Sequence, residues 1–180
     1  EEGIARNLVG DKVPARPRSD GSQLPILLTQ PSTFAVMLWL NKVIRPGMRI
    51  VDVGGASGIS YWHYRNYFTI PQDVTWTVVD MPHIIARGRA LAAIGGAQNI
   101  EFTEDLDALD EYDVVVSLGC VQYMSPKAFQ TFRKAAARAK VVIINKMPLI
   151  DGAEFWTLQS LQTTFTPYWI ANRQDFIGQL

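Results

Sequence analysis

Four apolar runs of strand length, at residues 48–53 (MRIVDV), 75–80 (TWTVVD), 112–118 (YDVVVSL) and 140–146 (KVVIINK), are separated by stretches with helical spacing, and a shorter run, NIEFT at 99–103, lies between the second and third. Runs this rich in Val and Ile, near-continuous in apolar residues over most of their length, suit strands buried on both faces. Strands alternating with helices imply a parallel sheet covered on both sides, because each parallel neighbour needs a crossover connection. The intervening helices are expected at 57–68 (SGISYWHYRNYF), 82–94 (PHIIARGRALAAI) and 125–139 (SPKAFQTFRKAAARA), the last with a serine cap and a proline in its first turn. One more helix is expected over 33–44 (TFAVMLWLNKVI), stopped by Arg45-Pro46-Gly47.

The 180 residues suffice for one buried core. Residues 1–30 read as an N-terminal arm, loop or short helix plus linker, because Pro14, Pro17 and Gly21 break any periodicity; 31–180 read as the domain. Seventeen basic against seventeen acidic residues leave no net field for a polyanion, so nucleic acid is not favoured. Cys120 is the sole cysteine, which excludes an internal disulfide, and the acids and two histidines show no metal-ligand spacing. No apolar run is long enough to cross a bilayer, and a cytoplasmic location is expected. After Lys146 the periodicity blurs into an aromatic tail, 147–170, which suits a lid, an acceptor wall or plain packing on the sheet. The residues after it, NRQDFIGQL, read as the start of a further helix.

The first strand ends in Asp52 and then turns through Val53-Gly54-Gly55-Ala56-Ser57-Gly58. In an open parallel sheet the carboxyl end of such a strand borders the ligand crevice. Glycine there tolerates positive φ and lets a ligand approach the backbone. The dinucleotide frame G-x-G-x-x-G fails from Gly54, where it meets Ala56 and Ile59, and from Gly55, where it meets Ser57 and Ser60. The frame that fits is D-x-G-x-A-x-G, from Asp52 through Gly54 and Ala56 to Gly58. Asp80 closes the second strand, where a carboxylate can accept ribose hydroxyls or cap the following helix.

This pattern resembles the first motif of class I S-adenosylmethionine (SAM)-dependent methyltransferases, with Ala56 at the middle glycine. The resemblance implies a Rossmann-like α/β fold, a mostly parallel sheet with helices on both faces; the sequence supplies about five strands and is expected to lack the C-terminal strand pair usual in that class. It implies SAM as cofactor, held by Asp52, Gly54, Gly55, Ala56, Gly58, Asp80 and Met81, by Glu104 and Asp105 after the third strand, and by Ser117. IVDVGGASG with Asp80-Met-Pro-His83 is similar to small-molecule O-methyltransferases of the caffeate type, over about residues 48–147. Their general-base histidine falls on Gln122, which cannot take a proton near neutral pH. GCVQYMS and IINKMPL resemble a group of uncharacterised methyltransferases associated with bacterial polysaccharide clusters. The expected activity is methyl transfer to an oxygen or nitrogen of a small sugar-like or natural-product-like acceptor, with Gln122 and Tyr123 at the mouth orienting it. His63 and His83 read as surface or capping residues and Cys120 as a small buried side chain. The alternatives are an NAD(P)-dependent oxidoreductase and a non-catalytic SAM-binding domain. The last strand is expected at a free sheet edge, which suits a homodimer.

Overall fold

The computed structural model describes residues 13–17, 23–26 and 31–180 apart from residue 162. Two short strands, β1 (Val13–Pro17) and β2 (Gln23–Ile26), pair antiparallel with Arg16 opposite Leu24. This corrects the expectation of a loop or short helix for these two segments. Proline is tolerated in an isolated two-stranded ribbon, where many N–H groups have no ladder partner to lose. The rest of the arm lies outside the described residues.

The domain opens with α1 (Pro31–Val43), then β3 (Arg49–Val53), α2 (Ile59–Tyr64), β4 (Thr75–Val79), α3 (Pro82–Gly95), β5 (Ile100–Thr103) and β6 (Val114–Leu118). A single 3-10 turn (Val121–Tyr123) leads to α4 (Pro126–Arg138) and β7 (Val141–Asn145). The five strands β3 to β7 form one parallel sheet in the order β5-β4-β3-β6-β7. This is the architecture expected from the alternating pattern. Strand order reverses between β3 and β6, so the crevice at their carboxyl ends is the topological switch point.

Side-chain alternation along β3 decides what lies on each face. Ile50 joins the core formed with Leu40 of α1, Tyr61 and Tyr64 of α2, Trp76 and Ile85, while Val51 and Val53 join Val115, Phe129 and Phe132 on the other face. Asp52, in phase with Ile50, therefore points into the first core. In α3, Gly88 has the room of a bare hydrogen only: a Cβ there would lie 2.2 Å from the Phe102 ring. In α4, the Ser125 hydroxyl accepts the Ala128 N–H at 3.2 Å, as the serine cap predicts.

The C-terminal tail differs from its sequence reading. It forms β8 (Leu149–Ile150), β9 (Phe155–Leu161) and β10 (Thr164–Asn172), a separate sheet in the order β8-β10-β9 with β9 and β10 antiparallel. A strand pair thus does follow the parallel sheet, yet does not extend it. The blurred pattern has a physical cause, since the outer half of the hairpin carries exposed apolar residues on both faces, Leu158 and Phe165 on one and Leu161 on the other. Leu161 shares its face with Thr157, Gln159, Thr164 and Thr166, so the apolar and polar residues are mixed and the period of two is weakened. The short α5 (Arg173–Gly178) follows, capped by the Asn172 side chain on the Asp175 N–H, where a further helix is expected. Strand β7 lies at an edge of the parallel sheet, and its last residue, Asn145, donates to the Ser32 carbonyl at the start of α1. No helix among the described residues is long and apolar enough to cross a membrane.

Candidate functional site

The turn after β3 is built from backbone conformations that side chains disfavour. Gly54, Ala56 and Gly58 have φ of 74°, 52° and 83°. Gly54 is required twice over: besides its φ, a Cβ would sit 2.4 Å from both Cβ and Sγ of Cys120, which arrives from the β6 side of the switch point. At Gly58 a Cβ would meet Ile100 at 2.6 Å. Ala56 occupies the left-handed region as an alanine, a local strain of about 1 kcal/mol or somewhat more. Its N–H is held by the Asp80 carboxylate at 2.8 Å, which explains why the turn keeps this shape.

Asp52 lies beneath that turn. It is wholly buried, and a Cβ on Gly55 would be 2.6 Å from its carboxyl carbon. One oxygen accepts the Trp76 indole N–H at 3.3 Å; the other, Oδ1, has no partner. Burial raises its pKa to about 7, against the opposing Trp76 hydrogen bond and with some help from the charge of Asp80. Trp76 is a site residue that the sequence reading missed. The register places Val78 opposite Asp52, so Trp76 is its diagonal neighbour, a relation visible only once strands are paired.

Asp80 follows β4 directly and is half-buried. Its Oδ2 accepts from Ala56 and its Oδ1 from the Met81 N–H at 2.7 Å, leaving each oxygen one further accepting position. Met81 itself is 58 % exposed at the start of α3. Beyond β5, Glu104 and Asp105 line a cavity of about 360 Å³ together with Val53, Val79, Leu106 and Met124. The Asp105 carboxylate is engaged locally by the N–H groups of Asp107 and Ala108, whereas Glu104 is exposed. Ser117 is placed differently from an open ligand contact: it is fully buried and donates to the Val53 carbonyl at 3.0 Å, tying β6 to β3 at the switch point.

The second loop bordering the crevice carries Cys120, Gln122 and Tyr123. Gln122 does not sit at the mouth. It is 4 % exposed, its amide donates to the Gly119 carbonyl at 3.0 Å, and its Oε1 is unpartnered. The compact 3-10 turn folds it inward, which spacing alone could not show. Tyr123 is 37 % exposed, donates to Gln159 Oε1 on β9, and meets the Tyr168 ring edge-on at 5.4 Å. The Cys120 thiol is pushed up to about 11 by burial and by the charges of Asp80 and Asp52, so it is no nucleophile near neutral pH. His63 is half-buried and its pKa is lowered by burial; His83 lies exposed in the first turn of α3. A concavity of about 620 Å³ is at the opposite end of the sheet among Arg49, Glu111, Asp113 and Lys140, an exposed ion-pair cluster away from the switch point.

No family model and no curated protein matches the sequence. Solved structures match the fold. The N-terminal domain of EvdMO1, determined in the presence of SAH and D-fucose, aligns with a TM-score of 0.60 at 12% identity over 99% of this chain and 83% of that one. The PH0226 protein of Pyrococcus horikoshii OT3 aligns at 0.56 and 13% identity, covering 82% and 77%. The 1,6-didemethyltoxoflavin-N1-methyltransferase of Burkholderia thailandensis, with its substrate and S-adenosylhomocysteine bound, aligns at 0.54 and 16% identity, over 83% of this chain and 65% of that one. The architecture is thus the Rossmann-like fold of class I methyltransferases.

Proposed function

We propose that the chain binds SAM in the switch-point crevice and transfers its methyl group to an oxygen or nitrogen of a small sugar-like or natural-product-like acceptor. The observation that carries this reading is the buried Asp52 oxygen without a partner, lying beneath a turn whose backbone is bent through three positive φ values. A buried carboxylate with nothing to pair with is costly, and a cation bound across the turn would relieve that cost. A phosphate at the same place would worsen it, which disfavours a dinucleotide. Support also comes from the fold's likeness to two structures determined with S-adenosylhomocysteine, one alongside D-fucose and the other with a toxoflavin precursor.

The residues fit such a ligand. Asp80 keeps one accepting position on each oxygen for the two ribose hydroxyls, and the turn from Gly54 to Gly58 presents backbone in place of side chains. Glu104 and Asp105 line the cavity the adenine would occupy, Met81 lies exposed just beyond Asp80, and Asp52, buried beneath the turn, would act on the cationic end through its charge. Ser117 shapes the crevice by locking β6 to β3. When bound, the cofactor supplies a methyl group on a sulfonium, which needs alignment and exclusion of water more than it needs a base. Tyr123 is the residue of the pair best exposed to orient an acceptor; Gln122 sets the shape of the loop that carries it.

Calorimetric titration with SAM, S-adenosylhomocysteine and NAD tests the cofactor. Asp80→Ala is expected to weaken S-adenosylhomocysteine by about 1.5–3 kcal/mol, the scale of hydrogen bonds to a charged group. Asp80→Asn, which keeps one accepting oxygen, should lose part of that. Unchanged affinity in both variants sinks the ribose role, and heat with NAD alone replaces the assignment by a nicotinamide site. Binding without turnover across a broad acceptor screen would leave a non-catalytic SAM-binding domain.

A further inference from the structure

Between α4 and the base of the β9–β10 hairpin is a cavity of about 540 Å³ that the crevice does not use. Its wall is a pair of indoles. Trp156 and Trp169 stand directly opposite each other in the hairpin register, their rings 6.0 Å apart and within 14° of parallel. Trp169 is packed in place by Phe129 and Phe176, each nearly perpendicular to it, and by its N–H to Glu154 at 3.2 Å. Trp156 is 48 % exposed and stacks on Trp169, which is 6 % exposed, so Trp156 is the indole open to a ligand. Around this flat apolar surface stand polar groups from three segments: Lys127, Gln130 and Arg133 of α4, Glu154 before β9, and Gln179 near the end of the chain. Arg133 is already oriented by its bond to the Gln179 carbonyl at 2.8 Å.

We propose that this cavity binds a pyranose ring of a carbohydrate. The face of an indole carries the negative lobe of its quadrupole and attracts the weakly positive C–H groups that a pyranose presents on one side. The ring's edge is lined with hydroxyls, each both donor and acceptor. Ammonium, guanidinium, amide and carboxylate groups set around the platform offer both partners. A purely aromatic or aliphatic ligand would leave those groups desolvated and unpaired, which works against it. The volume lies within the range of small-molecule sites. The cavity shares Met124 and Lys127 with the cavity at Glu104, so a glycan held there would extend past the crevice rather than fill it. The inference does not depend on methyl transfer.

Saturation-transfer NMR with the methyl glycosides of glucose, galactose, mannose and fucose, and with maltose and lactose, reads the contact directly. At least one is expected to receive saturation on the C–H protons of a single ring face. Trp156→Ala should abolish it, and Trp156→Tyr should retain part. Trp39→Ala, which removes an exposed indole on α1, should leave it unchanged. Absence of saturation with every sugar up to about 50 mM, well above useful affinities, overturns the proposal. So does equal saturation in Trp156→Ala, or binding of indole-3-acetate in place of the sugars. Calorimetry with S-adenosylhomocysteine on wild type and Trp156→Ala separates the two sites. If the wild type gives no heat with that compound but binds a glycoside, the methyltransferase reading falls and this one stands.

Discussion

The two segments that face each other across the switch point, 52–58 at the end of β3 and 119–123 after β6, each bury one oxygen without a partner, and the difference between those oxygens separates their roles. Asp52 Oδ1 belongs to a group that can gain charge; Gln122 Oε1 belongs to a neutral amide. The first is strained in its backbone and leaves one oxygen of its acid without a partner, so its charge state follows the pH. The second engages its side chains on the protein itself, Gln122 on Gly119 and Tyr123 on the hairpin. Electrostatic responsiveness is therefore concentrated on the β3 side, while the β6 side is mechanically tied to the C-terminal arm.

The largest expected effect that sharpens this contrast is the pH dependence of stability. The unfolded chain releases the Asp52 proton near its ordinary 3.8, whereas the folded protein holds it to about pH 7. Across that window the native state binds more protons, so stability falls as pH rises. A gap of about three units corresponds to a contribution on the order of 4 kcal/mol between pH 4 and 8. Urea unfolding of wild type and Asp52→Asn at pH 5 and pH 8 isolates it. His63, lowered by burial, pulls the other way near its own titration but is common to both proteins. Asp113, held down by its hydrogen bonds from Lys140 and the Arg49 N–H, titrates below the window. Wild type should lose stability relative to Asp52→Asn on going from pH 5 to pH 8. Parallel profiles would remove the charge-responsive character of the first loop.

A second prediction concerns where the two loops touch. Gly54→Ala places a Cβ 2.4 Å from Cys120 Cβ at a φ of 74°, so strain and clash act together. A loss of about 3 kcal/mol in folding stability is expected, with S-adenosylhomocysteine binding lost as the turn moves. Adding Cys120→Gly removes the clash and leaves the φ penalty, so about half of the stability should return, as a double-mutant cycle would report. No coupling between the two substitutions would mean that the loops do not share this contact in solution.

The site was unequally visible in the amino-acid order. The frame from Asp52 to Gly58 and the acid at Asp80 could be read because both follow strands whose runs of Val and Ile are unmistakable, and strand ends fix where such residues go. Trp76 could not be read, since its bond to Asp52 depends on strand register. Gln122 was expected at the mouth because it falls where the resembled enzymes carry their base, and the folded 3-10 turn buries it instead. The hairpin escaped for another reason: Leu161 and Phe155 on its more polar face, and Ser160 on its apolar one, blur the alternation that marks a half-buried strand. Parallel strands and their turns are local consequences of sequence, whereas contacts across the crevice and the arm are set by packing between distant segments.

The smallest effect tests whether the second loop is only mechanical. Tyr123→Phe removes the hydroxyl that bonds Gln159 but keeps the ring against Tyr168. The bond lies near the surface between neutral groups, so global stability should change by about 1 kcal/mol or less. Its consequence should be local, because the arm makes few other contacts beyond its base: Leu158 is 66 % and Phe165 72 % exposed. Amide hydrogen exchange in β9 and the outer half of β10 is expected to quicken severalfold, while β3 and β4 keep their protection. Affinity for S-adenosylhomocysteine should stay at the wild-type value, since neither Asp52 nor Asp80 touches this link. If exchange instead rises uniformly, the arm opens only with the whole domain. If cofactor affinity falls with the hydroxyl, the two loops act as one unit, and the division of labour drawn between them is wrong.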